Sequence, residues 1–512
     1  MTIINLLKDN AEQRGDKICL MENNCVYTWR EFDEHSNKLA NWLIAKGITK
    51  GHKVAILIKN CIDWLPIYFG VLKSGAIAVP INYNFDVNEI SYCIKLIDCS
   101  VIIYADDFTN EVEMLRQDLK KHLLLISFGS KNFNHAISYS SIILNCSVYK
   151  PDINISADDY AAIYFSSGTT GLPKAVLLKH KSLYAAAITE QKHHMQTEKD
   201  VFLIIAPLYH TGAKIHWFGS LLVGGSAVIL NNALPDIILK TISKNKVTIA
   251  WLLLPWVQDL IEAVKCGDVL LHNYNLKSWR LMHMGAQPIP SQTITEWHEF
   301  FPNMQFDISY GLTEATGPGC VHLGIDNYYK TDSIGLAGFG WEADIMIDDI
   351  IALPNIIGEL VVKGDGVMAE YYMDPASTEA ILHNGWLKTG DMAFKDSEGY
   401  LYLVGRKKDI IISGGENIYP VQIENFLRGH DAVKDVAVIG APSRRLGEVV
   451  VAAVELIQGR SCTKTEMHRF CEGLPLYKRP FRFYFTQIPR NSTGKIDKIS
   501  LKEQLFKSNK ML

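Results

Sequence analysis

The chain has 512 residues, and because a single hydrophobic core stops growing near roughly 250–300 residues, we expect two or more domains. Hydrophobic residues make up 48% of the sequence and charged residues 21%, with a formal net charge of −4, which indicates a globular protein and gives no reason to expect a nucleic-acid partner. No run reaches the ~18–20 apolar residues of a membrane-spanning helix, so no membrane span is expected.

The cysteines and the N-terminus predict a cytoplasmic protein. Ten cysteines are scattered from Cys19 to Cys471 without a Cys-x-x-Cys pair or a zinc spacing, so we expect them to be reduced. The first residues lack the basic region, the apolar stretch and the cleavage site of an export signal. The oligomeric state stays open, with a homodimer as one alternative.

Strands and helices alternate through the first part of the chain. Residues 53–58 and 77–80 are apolar, strand-like runs, and residues 64–72 between them have helical length, with Gly75 placed to end the helix. Such alternation is typical of a largely parallel sheet that is covered by helices. The sequence therefore predicts an α/β fold with doubly wound sheets.

Residues 164–176 contain the most informative loop. After an apolar run that ends at Phe165, every residue up to Gly171 is small, and Lys174 follows. Backbone N–H groups and hydroxyls of such a loop can surround phosphate oxygens, and the lysine adds a cation. The loop is not a P-loop, because Pro173 precedes the lysine. A surface turn is the alternative interpretation. The predicted phosphate-binding residues are Ser166, Ser167, Gly168, Thr169, Thr170, Gly171 and Lys174.

Three of the histidines that follow this loop allow a prediction. His210 comes after an apolar, strand-like run at residues 201–206, and a lone histidine at a strand end is more often structural than catalytic. His193 and His194 have no partner at metal-ligand spacing, so we expect them at the surface.

A predicted strand at residues 279–284 ends in Gly285, Ala286 and Gln287. In open α/β sheets, ligands meet the carboxyl ends of the parallel strands. Small residues at such an end give a flat wall against which a nucleotide can lie. We therefore predict nucleotide contacts from this segment.

The string Tyr-Gly-Leu-Thr-Glu at residues 310–314 follows another strand-like run. Tyr310, beside Gly311, offers a π face for adenine. Thr313 can donate a hydrogen bond to a phosphate. Glu314 is a hard oxygen ligand that suits Mg²⁺, which binds through one or two carboxylates and substrate phosphates. Thr313 and Glu314 are therefore candidate catalytic residues, with Glu314 as the metal ligand.

Two charged strings lie further along the chain. Trp-Leu-Lys-Thr-Gly-Asp ends at Asp391, whose ionised carboxylate only accepts hydrogen bonds and so suits ribose hydroxyls. Gly-Arg-Lys-Lys-Asp at 405–409 supplies Arg406 as a second ribose or phosphate contact. A charged run usually covers a solvated face, but the order of these two strings argues against that here. Residues 357–364 between the glutamate and these strings are predicted to form a hairpin-like β segment.

The strings at 166–174, 310–314, 386–391 and 405–409 resemble the signatures of the adenylate-forming superfamily, which includes acyl-CoA synthetases, luciferases and peptide-synthetase adenylation domains. The resemblance covers nearly the full chain, from about residue 5 to residue 497. It implies a reaction of a small-molecule carboxylic acid with ATP, Mg²⁺ and coenzyme A. The acid attacks the α-phosphorus of ATP to form an acyl-AMP, and the acyl group then passes to a thiol.

The resemblance also implies roles for residues that carry no such signal by themselves. His210 would flank the centre that activates the carboxylate. Lys495 would reach into the other domain and stabilise charge on the reacting carboxylate and phosphate. Lys408 is the implied hinge, about which a mobile domain rotates to bring Gly414 and Gly415 against the pantetheine tunnel. One position in the segment expected to recognise adenine departs from the family pattern.

Many relatives carry a polar amide two residues before the tyrosine, whereas this chain has Ile308. Adenine recognition must then depend on backbone groups, on Asp307 or on Ser309. The predicted architecture is a large N-terminal α/β domain at residues 1–405, a hinge at 406–409 and a small mobile α+β domain at 410–512.

An acyl-CoA ligase is the function that we favour. A peptide-synthetase adenylation domain usually has an aspartate just after the strand at 201–206, where this chain has Tyr-His-Thr-Gly. The sequence also stops 17 residues after Lys495, which leaves no room for a carrier domain. A freestanding enzyme that loads a carrier protein is the alternative. A luciferase-like oxygenase and a non-enzymatic nucleotide sensor rank below it.

The acid is harder to predict. In relatives, the helix at residues 213–223 lines the acyl pocket. Lys214 on this helix could meet a second polar or anionic group of the substrate or extend to solvent, and we favour solvent. Four bulky residues suggest an aromatic-walled pocket for a medium-chain or aryl acid, with packing in the core as the alternative explanation. They are Trp217, Trp251, Trp256 and Met284.

Overall fold

A computed structural model describes residues 1–119, 123–129, 135–166, 172–490 and 496–506. Within these ranges the strands form four sheets, of which three precede residue 407 and one follows residue 410. The α-helices of the described chain are α1 (Ile3–Arg14), α2 (Trp29–Ala45), α3 (Trp64–Lys73), α4 (Val87–Leu96), α5 (Thr109–Leu119), α6 (Tyr139–Asn145), α7 (His180–His194), α8 (Thr211–Val223), α9 (Pro235–Asn245), α10 (Leu254–Lys265), α11 (Ser291–Phe300), α12 (Pro375–Ile381), α13 (Pro420–Arg428), α14 (Lys464–Phe470) and α15 (Lys498–Phe506).

The first sheet is parallel at its centre. Its strands are β1 (Ile18–Glu22), β2 (Cys25–Thr28), β10 (Val201–Ile204), β11 (Ser226–Ile229), β12 (Ile249–Leu253), β13 (Leu281–Gly285), β14 (Gln305–Leu312), β15 (Gly317–His322) and β16 (Leu336–Ala337). They lie in the order β16-β15-β14-β13-β12-β10-β11-β1-β2. The pairs from β14 through β10 and β11 to β1 are parallel, while β15 pairs with β14 in the antiparallel sense.

The second sheet has the same doubly wound character. Its strands are β3 (Lys53–Leu57), β4 (Ile77–Pro80), β5 (Val101–Ala105), β6 (Leu124–Phe128), β7 (Ile137–Ser138), β8 (Tyr160–Ser166), β9 (Lys174–Lys179) and β20 (Glu370–Tyr371). They lie in the order β20-β9-β8-β4-β3-β5-β6-β7. Only the edge formed by β8, β9 and β20 is antiparallel among the described pairs.

Two smaller sheets complete the fold. The third contains β17 (Trp341–Ile347), β18 (Ile350–Ile351), β19 (Gly358–Gly364), β21 (Leu382–His383), β22 (Trp386–Lys395) and β23 (Leu401–Arg406). The fourth contains β24 (Ile411–Ser413), β25 (Glu416–Ile418), β26 (Val433–Ser443), β27 (Gly447–Leu456) and β28 (Arg482–Phe485). A short turn at Lys407–Asp409 separates β23 from β24. The predicted α/β fold, with a large N-terminal and a smaller C-terminal domain, is confirmed, while the boundary itself remains a prediction.

A layer of helices lies between the first and second sheets and forms the largest core. Every residue of α3 is buried, and α8 is buried from Thr211 to Leu221. Phe32 of α2 connects the two helices, since its ring lies 5.3 Å from that of Phe69 and 6.3 Å from that of Trp217. Each such side chain contributes about 1.5–3 kcal/mol by leaving water. Helices on the outer faces of both sheets cover separate cores.

Some helices begin at a residue whose side chain caps them, and α2 is one example. Thr28 precedes α2, its hydroxyl accepts from the N–H of Glu31, and the Glu31 carboxylate accepts from the N–H of Thr28 at 2.8 Å. This reciprocal box satisfies two N–H groups that the helix leaves unpaired. No helix formed by the described residues has the length and apolar character needed to cross a membrane.

Some predicted bounds differ from the structure. The strand expected at 201–206 ends at Ile204, and the one expected at 279–284 runs from Leu281 to Gly285. The segment at 357–364 is not a hairpin, because β19 lies between β17 and β22 inside the third sheet. A run bounded by glycines has hairpin character locally, and only its distant partners reveal a central strand.

Candidate active site

The carboxylate of Glu314 is held in place by two hydroxyl groups. The residue lies in a short 3₁₀ turn directly after β14 and is largely buried. Ser166 Oγ donates to its Oε1 at 3.1 Å, and the Tyr371 hydroxyl donates to the same oxygen at 2.7 Å. Burial, followed by the Glu314 carboxylate, raises the pKa of the Tyr371 phenol, so this donor stays protonated. Both hydrogen bonds go to Oε1 of Glu314, so its Oε2 takes no part in this anchoring.

Lys174 stands beside Tyr371, the residue that donates to this carboxylate. It is the register partner of Ser166 in the antiparallel pair of β8 and β9. Its Nζ donates to Ser377 Oγ at 2.8 Å and lies 4.6 Å from the centre of the Tyr371 ring. Ser166 and Lys174 are thus the two ends of the predicted phosphate loop, and both approach Glu314 or its donor.

A second cluster joins Tyr310, Asp391 and Arg406. The Tyr310 hydroxyl donates to Asp391 Oδ2 at 2.6 Å, and Arg406 Nε lies 2.9 Å from Asp391 Oδ1. Asp391 and Arg406 face each other in the pairing of β22 with β23, which places them without any long-range folding. The Asp391 carboxylate, with smaller contributions that include Glu314, raises the pKa of Arg406. The two clusters are therefore electrostatically connected.

The segment predicted to form a wall for the nucleotide lies at the end of β13. Gly285 pairs with Ser309 on β14, and a Cβ at Gly285 would lie 2.9 Å from the Ser309 carbonyl oxygen. Ala286 follows with φ +70° and is exposed, and Gln287 is half-buried. The chain turns sharply here, so the strand end presents backbone and small side chains.

His210 immediately precedes α8 and is half-buried. Its ring centre lies 4.4 Å from that of Tyr209, which in turn packs edge-on against Tyr83 at 4.9 Å. Thr313, also half-buried, and Gly311 lie at the end of β14 near the first cluster.

Lys214 lies in neither of the two positions considered from the sequence. It is fully buried, and its Nζ donates to the carbonyl oxygens of Leu208 at 2.6 Å and His210 at 2.9 Å. The centre of the Tyr164 ring is 4.5 Å from this nitrogen. Burial lowers the pKa of Lys214 well below its ordinary value. Lys214 thus connects α8 to the loop that carries His210. The spacing of four residues between His210 and Lys214 was the signal in the sequence for this contact.

The predicted contact of the Asp307 side chain with adenine is wrong. Side chains alternate along β14, so Phe306 and Ile308 pack on the outer face, while Asp307 and Ser309 point to the inner face and are buried. Asp307 Oδ2 lies 2.8 Å from His194 Nε2, and Ser309 Oγ lies 2.8 Å from His283 Nε2. Of the three alternatives for adenine, backbone groups remain as the prediction.

The surface position predicted for two histidines is also wrong. His194 is fully buried, and His193 is half-buried with its ring stacked 3.9 Å from that of His322. Although burial raises the pKa of the Asp307 carboxyl, His322 and His194 outweigh it and hold that pKa well below its ordinary value. The partners are 113 and 15 positions from Asp307, so metal-ligand spacing in the sequence could not reveal them.

Two bulky residues proposed for the acyl pocket belong to the core. Trp217 is fully buried between α8 and α2, and Met284 is fully buried on the outer face of the first sheet. Trp251 is nearly buried and packs against His216, with ring centres 4.7 Å apart. Trp256 is half-buried. The alternative explanation, packing, therefore holds for Trp217 and Met284.

The remaining predicted residues lie outside the described ranges or on the exposed surface of the C-terminal part. Ser167, Gly168, Thr169, Thr170, Gly171 and Lys495 lie outside the described residues. Gly414 and Gly415 form the exposed turn between β24 and β25, with φ of +59° and +90°, and Lys408 is exposed. Tyr371 and Ser377 were missed by the sequence analysis, because β20 and α12 reach β9 from almost 200 positions away.

Comparison with known proteins extends these observations to the whole chain. The profile described as AMP-binding enzyme matches residues 7–372, and the profile described as AMP-binding enzyme C-terminal domain matches residues 422–495. A protein described as a putative acyl-CoA synthetase from Bacillus subtilis (strain 168) is 31% identical, over 98% of this chain and 97% of its own.

Two further matches bear on the nucleotide and the acid. A long-chain-fatty-acid–CoA ligase of Mycobacterium tuberculosis (strain CDC 1551 / Oshkosh) is 30% identical, over 93% of each chain. The solved O-succinylbenzoate coenzyme A synthetase from Bacillus subtilis, in complex with ATP and a magnesium ion, superposes with a TM-score of 0.84. It is 28% identical and covers 96% of this chain and 98% of its own.

Proposed function

Because the chain belongs to the family of AMP-binding enzymes, in its acyl-CoA synthetase branch, we propose that it joins a medium-chain or aryl carboxylic acid to coenzyme A through an acyl-AMP intermediate. The chain is an AMP-forming acyl-CoA synthetase, and ATP, Mg²⁺ and CoA are the reactants and the metal of that ligation. The class of acid and the role of each residue constitute the proposal.

The anchored carboxylate of Glu314 carries this proposal. Ser166 and Tyr371 hold one of its oxygens at 3.1 and 2.7 Å, at the edge of the predicted phosphate loop. A carboxylate oxygen fixed beside substrate phosphates is the ligand that Mg²⁺ uses, and the ion would neutralise phosphate charge there. Lys174 adds a second positive charge, 4.6 Å from the ring of the same tyrosine.

The second cluster would hold the nucleoside. Asp391 already accepts from Tyr310 at 2.6 Å and pairs with Arg406 at 2.9 Å, so its carboxylate is fixed in direction. Ribose hydroxyls would donate to Asp391, and Tyr310 would offer its ring face to adenine. Backbone groups of residues 285–287 would line the other side of the base.

The two half-reactions place different demands on the protein. In the first, a carboxylate oxygen of the acid bonds to the α-phosphorus, and pyrophosphate leaves. In the second, the sulfur of CoA bonds to the acyl carbon, its proton is lost, and AMP leaves. Alignment and neutralisation of negative charge are the protein's tasks. Lys495 would serve the first step, and rotation about Lys408 would bring Gly414 and Gly415 to the second.

The surroundings of His210 favour an acid with an apolar or aryl body. The rings of His210, Tyr209 and Tyr83 form a continuous aromatic group, with centres 4.4 and 4.9 Å apart. Lys214 already donates to two backbone carbonyl groups, so it offers no cation for a second carboxylate of the substrate. The relatives' names include both a long-chain fatty acid and an aryl acid, so the panel of test acids should span both.

The test is an acid-dependent ATP–pyrophosphate exchange assay, run with straight-chain acids of increasing length, aryl acids and dicarboxylic acids. We expect the highest rates with medium-chain or aryl monocarboxylic acids, and thioester formation when CoA is added. Exchange without thioester formation would favour the loading of a carrier protein. Preference for a dicarboxylic acid would contradict the proposed acid class.

Lys495→Ala separates the two steps. We expect it to lower exchange by about 10²–10³-fold while sparing thioester formation from supplied acyl-AMP, because the lysine acts on the charge of the first transition state. Lys502→Ala, an exposed lysine of α15, is the matched control and should leave both steps unchanged. Equal loss of both steps in Lys495→Ala would contradict the assignment.

A further inference from the structure

A group of six ionisable side chains is buried on the inner face of the first sheet, against α7 and α8. We call it the histidine cluster. All six are fully inaccessible to solvent, and they come from α7, α8, β13, β14 and β15. The members are Glu190, His194, His216, His283, Asp307 and His322. None of them belongs to the nucleotide site described above.

Asp307 connects two of the imidazole rings. Its Oδ2 lies 2.8 Å from His194 Nε2 and 2.7 Å from His322 Nδ1, while its Oδ1 accepts from the N–H of Gly324 at 2.8 Å. His283 is the register partner of Asp307 on the neighbouring strand. Two histidines therefore converge on one carboxylate oxygen, with a third beside it.

Glu190 lies on the other side of the same rings. Its Oε2 is 3.3 Å from His194 Nδ1 and 2.8 Å from His216 Nδ1, and its Oε1 is 3.7 Å from His322 Nε2. The nitrogens of His194 and His322 that point away from Asp307 thus face a second carboxylate. This is the arrangement by which carboxylates orient metal-binding histidines through the opposite ring nitrogen.

The hydrogen-bonding capacity of the cluster is not satisfied. Considering only partners within the described residues, one buried polar atom of each of five members lacks a hydrogen bond. Buried polar atoms without partners cost about 1–3 kcal/mol each. The atoms are Glu190 Oε1, His194 Nδ1, His216 Nε2, His283 Nδ1 and His322 Nε2. An ion on the nitrogens of His194 and His322 that face Asp307 would place the ring protons on the opposite nitrogens, which could then donate to Glu190.

Charge gives the same indication. The cluster contains two carboxylates that are fully removed from water, and a buried charge is tolerated only when it is compensated. A divalent cation would neutralise both carboxylates while the imidazoles stay neutral. Compensation by protons alone would instead require two imidazolium ions among rings whose centres lie 4.1–6.1 Å apart.

We propose that His194, His283, Asp307 and His322 bind a divalent transition-metal ion, with Zn²⁺ as the best match. One possible ligand atom from each of these four side chains lies within 4.8 Å of those of the other three. Imidazole nitrogens suit Zn²⁺, whereas Mg²⁺ prefers oxygen ligands, so this site differs in chemistry from the one at Glu314. Four protein ligands leave no open position, which is typical of a structural zinc site.

The position of the cluster gives the ion a role in shaping the nucleotide site. His283 precedes Gly285 by two residues on β13, and Asp307 precedes Tyr310 by three residues on β14. An ion bound by both strands, by the end of α7 and by β15 would fix the positions of the C-terminal ends of β13 and β14 from the inner face of the sheet. The ion would therefore stabilise the scaffold and would not touch ATP or the acid.

Metal content of the purified full-length protein tests the proposal. The protein is stripped with a chelator, dialysed against dilute ZnCl₂ and then against buffer, and analysed by mass spectrometry of the metals. We expect about one Zn²⁺ per chain, as for a structural site. His283→Gln should lose it, and Glu190→Gln should lower the affinity for Zn²⁺ by about 10–100-fold. His180→Gln is the matched control, since His180 is equally buried on the same helix.

A measurement on the unsubstituted chain keeps the test decisive if a variant fails to fold. Crystals soaked with ZnCl₂ are measured at the zinc absorption edge, and an anomalous peak between His194, His283 and His322 supports the site. A peak elsewhere, or no peak, overturns the proposal. Full zinc content in His283→Gln, or equal loss in His180→Gln, would also overturn it.

Discussion

The nucleotide site and the histidine cluster share a strand but are encoded in opposite ways. β14 carries Asp307 of the cluster and, three residues later, Tyr310 of the nucleotide site. The nucleotide residues stand in continuous strings, and pairs such as Asp391 and Arg406 face each other across adjacent strands. The members of the cluster are spread over α7, α8 and three strands, and only Glu190 and His194 are a helical turn apart. The residues of the first site can therefore be recognised in the sequence. Those of the histidine cluster cannot, because they are far apart in the chain.

Their exposure differs in the same sense. In the proposed function, reactants must reach Arg406, which is exposed, and one oxygen of the largely buried Glu314, whereas every member of the cluster is closed off from solvent. Substitutions in the nucleotide site should therefore change rates and affinities with little effect on folding. Substitutions in the cluster should change the free energy of unfolding first. Four variants test this division, from the largest expected effect to the smallest.

Asp307→Ala should lower the free energy of unfolding by about 3–5 kcal/mol, because it removes one of the two buried carboxylates and leaves the positive charge that compensates them unbalanced. Denaturant titration of the full chain measures this effect. Asp158→Ala is the control, since Asp158 pairs with Lys181 at the surface and should change stability by less than about 1 kcal/mol. Similar stability of the two variants would break the comparison.

Glu314→Gln should lower acid-dependent exchange by about 10²–10³-fold, as expected when a preorganised charge is lost from a phosphoryl site. Glutamine retains an oxygen for Ser166 and Tyr371, so the denaturation midpoint should stay near that of the unsubstituted protein. Tyr371→Phe removes one hydrogen bond to the carboxylate and should cost only about 2–10-fold. A Glu314→Gln enzyme with an unchanged rate would remove the carboxylate from the reaction.

The fold was largely predictable from local patterns, and so was the proximity of several candidate residues, whose binding of the nucleotide stays a prediction. Alternating apolar runs predicted the α/β class, and four strings predicted residues that the structure brings together, among them Ser166, Lys174 and Glu314. Tyr371 was not predictable, because it reaches β9 only through the pairing of Tyr371 with Val176. Its hydroxyl nevertheless makes the shorter of the two hydrogen bonds to Glu314.

The errors also have a common physical cause. Because Ile308 stands where relatives have a polar amide, the sequence offers Asp307 as one alternative contact to adenine, although alternation along a strand turns it to the inner face. His194 was assigned to the surface because no partner lay nearby in sequence, and its partner lies 113 positions away. Lys214 and Trp217 are buried because α8 lies between two sheets. The sequence of the helix alone does not reveal that position.

Asp391→Asn should raise the KM for ATP by about 10–100-fold, since hydrogen bonds to a charged acceptor contribute about 1.5–3 kcal/mol. The amide also donates where Arg406 needs an acceptor, so the pair is lost. Lys240→Ala is the control, because its ion pair with Asp236 is exposed on both sides and should not affect the KM. An unchanged KM in Asp391→Asn would contradict the ribose assignment.

His180→Gln tests how a single buried histidine affects stability. His180 lies on α7, the helix that also carries Glu190 and His194 of the cluster. Burial lowers the pKa of His180 to about 4 from an ordinary value of 6.5. The unfolded chain then binds a proton between those values that the folded chain does not, so stability falls as the pH decreases from about 6.5 towards 4. Between pH 7.5 and pH 5, His180 should account for about 2 kcal/mol of the loss. Denaturant titrations of both proteins at the two pH values should show a smaller loss in His180→Gln, and equal losses would mean that the histidine titrates normally in the fold.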